Sequence, residues 1–186
     1  LPKIAVNVSA LQFNKNFCPT VKEILETSGV PPSALELELT ESILMEDSHS
    51  TVKALQELKA MGLRLSIDDF GTGYSSLSYL SRFPLDELKI DRSFVIDFDK
   101  SANDASLVRA IIAMGQSMQL ELVAEGVETS EQFHFLSRHG ADVIQGYLFS
   151  RPVTAAELRP MLAPGYFLGQ IREIRAEERL PASTQV

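Results

Sequence analysis

Two periodic patterns alternate along the chain. Residues 35–41 read Leu-Glu-Leu-Glu-Leu-Thr-Glu, which has the two-residue period of a β-strand. Residues 52–61 instead carry apolar side chains three or four positions apart and are followed by Gly62, as expected of an amphipathic helix. Because strand and helix patterns of this kind recur six times, the sequence predicts an α/β protein with a parallel sheet.

The strand patterns are short, and turn or capping residues separate them from the helices. Strands are predicted at residues 3–8, 35–41, 63–67, 86–91, 120–124 and 142–144. Helices are predicted to begin at capping boxes at Thr20, Thr129 and Thr154, at Asp47 or Ser48, near Ser75 and at Asp104. Residues 92–103 are expected to be irregular or partly helical. We expect a domain over residues 1–165 and a charged, partly disordered tail over residues 166–186, with 180–186 as its disordered end.

Polar side chains stand in, or just after, the carboxyl-terminal half of each predicted strand. They are Asn7, Glu38, Asp68, Asp69, Lys89, Glu125 and Gln145. In a (β/α)8 barrel such strand ends converge on one face, whereas in an open doubly wound sheet they spread along a line. Contributions from all six strands favour the TIM-like barrel. A full barrel has about 250 residues, so this chain is expected to be short by one or two βα units.

The adjacent Asp68 and Asp69 follow an apolar strand and precede a loop that contains Gly71 and Gly73. Two neighbouring carboxylates repel each other, and a divalent cation relieves that repulsion. Taken alone, the pair is equally consistent with capping of the helix that follows.

Composition and charge narrow the chemistry. The chain has 17 Lys and Arg residues against 25 Asp and Glu, a formal net charge of −8, so we expect no binding to DNA or RNA polymers. The single cysteine, Cys18, excludes an internal disulfide and favours a reducing, cytoplasmic location. No apolar run has the length of a membrane span, so no membrane contact is expected. None of the three histidines falls at a strand end, which leaves oxygen ligands and hence Mg²⁺, Mn²⁺ or Ca²⁺.

Each candidate residue also has an ordinary structural interpretation. Glu36 and Glu41 would face water on an edge strand, Glu128 would sit at a helix N-terminus, and Gln145 would serve backbone groups. Lys89 would pair with Asp86 on the surface, or act as a Schiff-base lysine. The recurrence of polar residues at one strand end after another favours a metal site over these interpretations.

Six stretches carry the candidate residues. They are Asn7-Val8-Ser9, Glu38-Leu39-Thr40-Glu41-Ser42, Asp68 to Ser76, Lys89-Ile90-Asp91, Glu125-Gly126-Val127-Glu128-Thr129 and Gln145-Gly146-Tyr147. Together they resemble one known family, the EAL domain of bacterial cyclic-di-GMP phosphodiesterases. The stretches occur in the family's order, and the resemblance spans residues 3 to about 162.

The resemblance implies a barrel of the EAL type with two Mg²⁺ or Mn²⁺ ions that hydrolyses cyclic-di-GMP to linear pGpG. The implied metal ligands are Asn7, Glu38, Asp68, Asp69, Glu125 and Gln145. Lys89 would hold the attacking water, and Glu125 would be the general base or hold a metal-bound water. The implied substrate-binding residues are Asp69, Gly71, Tyr74 and Gln145. Residues that support the ligands or anchor the loop of residues 70–76 are Glu41, Glu128, Thr72 and Ser75.

One family feature is absent from these 186 residues. The Glu-Ala-Leu signature belongs to a strand upstream of residue 1, so the resemblance identifies an N-terminally truncated domain. Its Glu is a metal ligand and the Arg just after it grips substrate, so we expect little or no activity from this segment alone. The resemblance further implies a homodimer and an upstream sensory or GGDEF-type domain in the parent protein. In some arrangements, upstream segments would anchor the parent protein to a membrane.

Two alternatives compete with the enzyme. An EAL domain that has lost catalysis would act as a cyclic-di-GMP receptor or regulatory scaffold, but such members lose strand-end ligands and none is lost here. An unrelated metal-dependent barrel enzyme, such as an enolase-type lyase, would need the carboxylates but would give no reason for the loop that starts at Asp68.

Overall fold

The strands form one parallel sheet in which each strand pairs with the next along the chain. The structure is a computed structural model and describes residues 2–45, 49–71, 80–96 and 102–177. The strands are β1 (Ile4–Val8), β2 (Leu35–Thr40), β3 (Arg64–Phe70), β4 (Glu87–Ile90), β5 (Glu121–Ala124) and β6 (Val143–Ile144). Strictly sequential parallel pairing is the order of a (β/α) barrel wall, whereas a doubly wound sheet reverses its order at a switch point.

Helices connect these strands within the described ranges. They are α1 (Phe17–Ser28), α2 (Glu41–Met45), α3 (His49–Ala60), α4 (Arg92–Ile96), α5 (Ala102–Ser117), α6 (Ser130–His139), α7 (Ala155–Met161) and α8 (Leu168–Glu177), with a 3₁₀ turn at Pro32–Ala34. In the described part of the chain, no helix has the length and apolar character needed to cross a membrane.

The two faces of the sheet differ in chemistry. One face carries buried leucines and isoleucines that form the core beneath the helices, among them Leu39, Leu65, Ile67, Leu88 and Leu122. The other face carries Glu36, Glu38, Arg64, Ser66, Asp68, Glu87 and Lys89, most of them also buried. Alternate residues of a strand point to opposite faces of the sheet. Because the leucines point outwards to the helices, these polar residues point to the inner, concave face.

All six predicted strands are present, with small shifts at their ends. The largest difference is in β3, which continues through both aspartates to Phe70 and has an irregular register against β4 between Ile67 and Phe70. The capping boxes at Thr129 and Thr154 are confirmed, and in each the threonine accepts from the backbone N–H three residues on.

The capping box predicted at Thr20 is wrong, because α1 begins three residues earlier at Phe17. Thr20 lies inside the helix, where its hydroxyl donates to the carbonyl oxygen of Asn16 at 2.9 Å. Glu41 was also placed in a strand, whereas it begins the short helix α2. The predicted starts of α3 at Asp47 or Ser48 and of the helix near Ser75 lie outside the described residues.

The prediction of an irregular tail from about residue 166 is wrong for residues 168–177, which form helix α8. Ile174 is buried, and the rings of Phe149 and Phe167 meet edge to face at 5.8 Å just before the helix. Ser130 at the start of α6 also donates to Glu177 at 2.7 Å. Helix α8 is therefore packed against the domain, and residues 180–186 lie outside the described part of the chain.

Candidate metal and catalytic site

Lys89 lies at the centre of the polar strand ends. Its Nζ is 2.7 Å from Glu38 Oε1 of β2, 3.0 Å from Asp68 Oδ1 of β3 and 2.6 Å from Glu125 Oε1 just after β5. The side chain is buried, with only 5% of the residue exposed. Four elements separated by up to 87 positions in the sequence thus bring one ammonium and three carboxylates together.

The charges around Lys89 explain its protonation. Burial acts to lower the pKa of Lys89, but hydrogen bonds to Glu125, Glu38 and Asp68 raise it well above its ordinary value. The amine therefore stays protonated at neutral pH. A Schiff-base lysine needs the neutral amine as nucleophile, so this environment argues against that interpretation.

Lys89 does not pair with Asp86. Asp86 is instead bound by Lys59 at 2.7 Å and accepts the backbone N–H of Leu65. The surface interpretation of Lys89 is therefore wrong, and so is the expectation that Glu36 and Glu41 face water, since both residues are buried.

The surroundings of the site carboxylates favour the binding of a proton or a cation. Burial raises the pKa of Glu125 despite its bond to Lys89. Burial, with the neighbouring charges of Asp68 and Asp91, raises the pKa of Asp69. Three carboxylates facing one ammonium leave a formal charge of −2 around Lys89. A divalent cation would relieve this repulsion.

The donor atoms fit a hard cation. They are carboxylate and carboxamide oxygens, the ligands preferred by Mg²⁺, Mn²⁺ and Ca²⁺. Among the described residues, the buried Oδ1 of Asp68 faces the Nζ of Lys89 at 3.0 Å and has no other polar partner. Within the same ranges no group of three or more His, Cys, Asp or Glu side chains is arranged as a metal site, and the three carboxylates surround Lys89.

Asn7 and Gln145 extend the site to both edges of the sheet. Asn7 stands opposite Glu38 in the register of β1 and β2. Gln145 lines a cavity of about 240 Å³ together with Glu38 and Lys89. A larger cavity of about 420 Å³ beside Gln145 is lined mainly by apolar groups such as Phe149 and contains none of the site carboxylates.

The backbone after Asp68 turns sharply. Asp69 has a φ of 53°, a left-handed conformation that is uncommon outside glycine, and Gly71 has a φ of 98°. A Cβ at Gly71 would lie 2.9 Å from the Phe94 ring, so the glycine is needed for packing as well. Thr72, Tyr74 and Ser75 lie outside the described residues. Glu41 is buried at the start of α2, and its anchoring role remains a prediction.

The loop that carries Glu125 is held by contacts the sequence did not reveal. Arg92, after β4, donates to Glu128 at 2.9 Å, and its methylenes occupy the space that a Cβ on Gly126 would need. On the other side, Val127 donates its backbone N–H to the carbonyl of Gln145 at 3.1 Å, and a Cβ on Gly146 would overlap the Val127 backbone. The only sequence signal for Arg92 was its place just beyond a strand end.

Sequential parallel strands with an acidic, lysine-centred site at their carboxyl ends define a barrel-type domain suited to bind divalent cations. A sequence model of the EAL domain matches residues 1–152. The chain belongs to the EAL domain family.

Named relatives and solved structures agree with this assignment. The chain is 47% identical over 161 residues to the cyclic di-GMP phosphodiesterase NbdA and 48% identical over 161 residues to the bifunctional diguanylate cyclase/cyclic di-GMP phosphodiesterase MucR, both of Pseudomonas aeruginosa. Each alignment covers 86% of this chain but only 21% and 24% of the relative. The chain thus spans less than a quarter of the length of these curated relatives.

Among solved structures, the PaMucR phosphodiesterase in complex with c-di-GMP matches with a TM-score of 0.81 and 48% identity, over 84% of this chain and 64% of that one. Klebsiella pneumoniae BlrP1, in complexes with cy-diGMP and manganese or calcium, matches with a TM-score of 0.72 and 34% identity, over 81% of this chain and 39% of that one.

Proposed function

We propose that this chain supplies most of the catalytic face of a metal-dependent phosphodiesterase that hydrolyses cyclic-di-GMP to linear pGpG. Water attacks one of the two phosphodiesters, one P–O bond breaks, and the ring opens. The observation that supports this most directly is the convergence of Glu38, Asp68 and Glu125 on the charged Lys89 at the strand ends.

Two divalent cations, Mg²⁺ or Mn²⁺, would activate the water and stabilise the attacking and leaving oxygens of an in-line displacement. The residues that would hold them are Asn7, Glu38, Asp68, Asp69, Glu125 and Gln145. Asp68, whose buried Oδ1 faces Lys89, would be one of the residues that hold both ions. The negative charge left around Lys89 would also be offset in this way, which allows an acidic protein to bind a doubly anionic substrate.

Lys89 and Glu125 have complementary roles in this proposal. Lys89 remains protonated, and its three ion pairs with described residues are all to carboxylates. A water that replaces one of these acceptors would be held at the same place. Glu125 accepts the proton of the attacking water. Burial raises its pKa towards neutrality, and a general base is most effective when its pKa lies near the working pH.

Substrate contacts are proposed for Asp69, Gly71, Tyr74 and Gln145. Glu128 is bound to Arg92 and would fix the loop that carries Glu125. Thr72, Ser75 and Glu41 are proposed to connect the loop after β3 to a dimer interface. A homodimer and an upstream sensory or GGDEF-type domain are part of the same proposal.

The test uses the full-length polypeptide that carries these residues, with the 186-residue segment run alongside. Each is mixed with cyclic-di-GMP and Mn²⁺, and linear product is followed by chromatography. We expect pGpG from the longer protein and little from the segment. The variant Asp68→Asn should abolish turnover, whereas Asp142→Asn, which changes an aspartate at the start of β6, should retain it.

A longer protein that binds cyclic-di-GMP but leaves it uncut would be a receptor, and this outcome would overturn the enzymatic proposal. Binding without cleavage would direct attention to the residue at the position of the signature Glu upstream. An Asp68→Asn variant with normal turnover would instead refute the role of Asp68 in holding the ions.

A further inference from the structure

A second ionic cluster lies on the same face of the sheet, towards the amino ends of the strands. Arg64 of β3 donates from Nε to Glu36 of β2 at 3.0 Å. Its Nη2 lies 3.4 Å from Glu87 of β4 and 2.5 Å from Glu121 of β5. Like Lys89 above it, Arg64 is one cation that contacts three carboxylates from different strands.

The carboxylates of this Arg64 cluster lie where a negative charge needs a positively charged partner. Glu36 and Glu87 are buried, with 4% and 6% of each residue exposed. Burying a carboxylate is costly unless it is paired. Within the described residues the other cation in contact is Lys3, which lies 3.7 Å from Glu121 and is half exposed. Burial and the proximity of Glu36 raise the pKa of Glu87 to about 7, which reflects crowding of negative charge.

The two clusters are connected through the strands themselves. Glu36 and Glu38 are two positions apart on β2, and Glu87 and Lys89 are two positions apart on β4. Residues at this spacing share a face and lie about 7 Å apart along a strand. A shift of a strand at the level of the Arg64 cluster would therefore move a site side chain by a similar amount.

Arg64 is suited to hold four strands in register. Its planar guanidinium offers five donors in a fixed fork, whereas an ammonium offers three on a flexible stem. It contacts β2, β4 and β5 from β3, so one side chain spans the four central strands. These are the strands that carry or lead to Glu38, Asp68, Lys89 and Glu125.

We propose that Arg64 is a positioning residue that ties β2, β3, β4 and β5 together beneath the site and so fixes the spacing of Glu38, Lys89 and Glu125. This inference rests on the proposed phosphodiesterase site. Loss of the guanidinium fork lowers turnover and divalent-cation affinity, while substrate contacts made further out are preserved. A misplacement of about 1 Å in a catalytic group can cost about 100-fold in rate.

The first test is Arg64→Lys in the full-length protein, because it keeps the charge and carries the least risk to folding. We expect kcat to fall about 10-fold or more and KM for cyclic-di-GMP to change by less than about 3-fold. In metal-free protein, the Kd for Mn²⁺ measured by calorimetry should weaken several-fold. The matched control is Arg109→Lys, since Arg109 is exposed on α5 and its one hydrogen bond within the described ranges is donated to Ser106.

A second variant separates positioning from simple support of the fold. Arg64→Met combined with Glu87→Gln and Glu121→Gln removes the cation together with two of its carboxylates, so the repulsion that Arg64→Met alone would leave is reduced. We expect its melting temperature to exceed that of Arg64→Met while kcat stays low. Recovery of kcat along with stability would overturn the proposal, because it would show that the bridge is not needed.

The outcomes for Arg64→Lys are equally decisive. Turnover and Mn²⁺ affinity equal to those of the Arg109→Lys control would overturn the positioning role, and so would a change confined to KM. If the wild-type protein failed to hydrolyse cyclic-di-GMP, the proposed function would fail, but the Mn²⁺ titration of metal-free wild-type and variant proteins would still test Arg64.

Discussion

Replacing Lys89 by Met should reveal how much of the domain's stability depends on a single ammonium. Methionine has a similar length and no charge, so the change removes the cation with little loss of volume. The carboxylates of Glu38, Asp68 and Glu125, which lie 2.6–3.0 Å from the Nζ of Lys89, would then face each other with no cation between them. Glu38 and Asp68 are both buried, so water can solvate them only in part.

The expected magnitude follows from the cost of an unpaired buried charge. Removing one partner of a buried ion pair destabilises a protein by about 3–5 kcal/mol. For a domain of this size, each kcal/mol corresponds to about 2–4 °C in melting temperature. We therefore expect metal-free Lys89→Met to melt about 10 °C below the wild-type protein, and to lose turnover by about 100-fold or more when assayed with Mn²⁺.

A divalent cation should reverse much of this loss of stability. Without Lys89 the site is more negative, so Mn²⁺ should stabilise the variant more than the wild-type protein; a ligand at 100 times its Kd adds about 2.7 kcal/mol. The assay is thermal unfolding of both proteins in a chelator and in Mn²⁺. Lys22→Met is the control, because Lys22 is exposed and lies 4.0 Å from Glu26, a contact worth little.

Equal melting temperatures for Lys89→Met and Lys22→Met in the chelator would show that the ammonium does not compensate buried charge. A smaller effect of Mn²⁺ on Lys89→Met than on the wild-type protein would show that the cation does not enter this cluster. Either result would refute the electrostatic account of the site.

Further predictions concern other residues and the identity of the metal. Glu125→Ala should lower turnover by about 100-fold or more while calorimetry still detects substrate binding, and near-normal turnover would remove Glu125 as the base. Gly146→Ala should cost about 1–3 kcal/mol because its Cβ would overlap the Val127 backbone, whereas Gly169→Ala, with open space around it, should not destabilise the protein in denaturant titrations. As the pH rises from about 4.5 to about 7, the wild-type protein should lose stability relative to Glu87→Gln, because Glu87 keeps its proton in the folded state and releases it in the unfolded chain. This loss in the free energy of unfolding is at most about 3 kcal/mol, and a free energy of unfolding that does not change with pH would contradict the raised pKa of Glu87. Ca²⁺ should inhibit turnover because its larger, looser coordination misplaces the water, so full activity in Ca²⁺ would argue against a two-metal geometry.

The strands were predictable because their apolar residues keep a strict period. Leu35, Leu37 and Leu39 alternate with glutamates, and this local pattern survives in β2. Helix α8 was missed because four of its ten residues are charged and only Ile174 is fully buried, against elements far away in the sequence. A pattern that depends on contacts with distant residues cannot be recognised from neighbouring residues.

The residues of the Lys89 cluster could be picked out from the sequence, but the contacts among them could not. Strand-end positions identified Glu38, Asp68, Lys89 and Glu125, yet nothing local stated that all three carboxylates would bind the lysine. Arg64 and Glu36 were harder still. A charged residue alternating with leucine is typical of a surface strand, and only the curvature of the sheet places that face inside.

Sequential pairing of the strands also bears on how the sheet opens. Each strand contacts neighbours that are near it in the chain, so the sheet resembles a short array of stacked repeats. In the 186-residue segment, strands β2 to β5 are each paired on both sides, and β3 and β4 lie furthest from the sheet edges, whereas β1 has one neighbour and four of its five residues are exposed. Backbone amides of this segment should therefore exchange with solvent deuterium in a graded order, slowest in β3 and β4 and fastest at β1 and β6. The slowest amides are expected to flank Lys89, so the part of the sheet that holds the Lys89 cluster should also be the last to open.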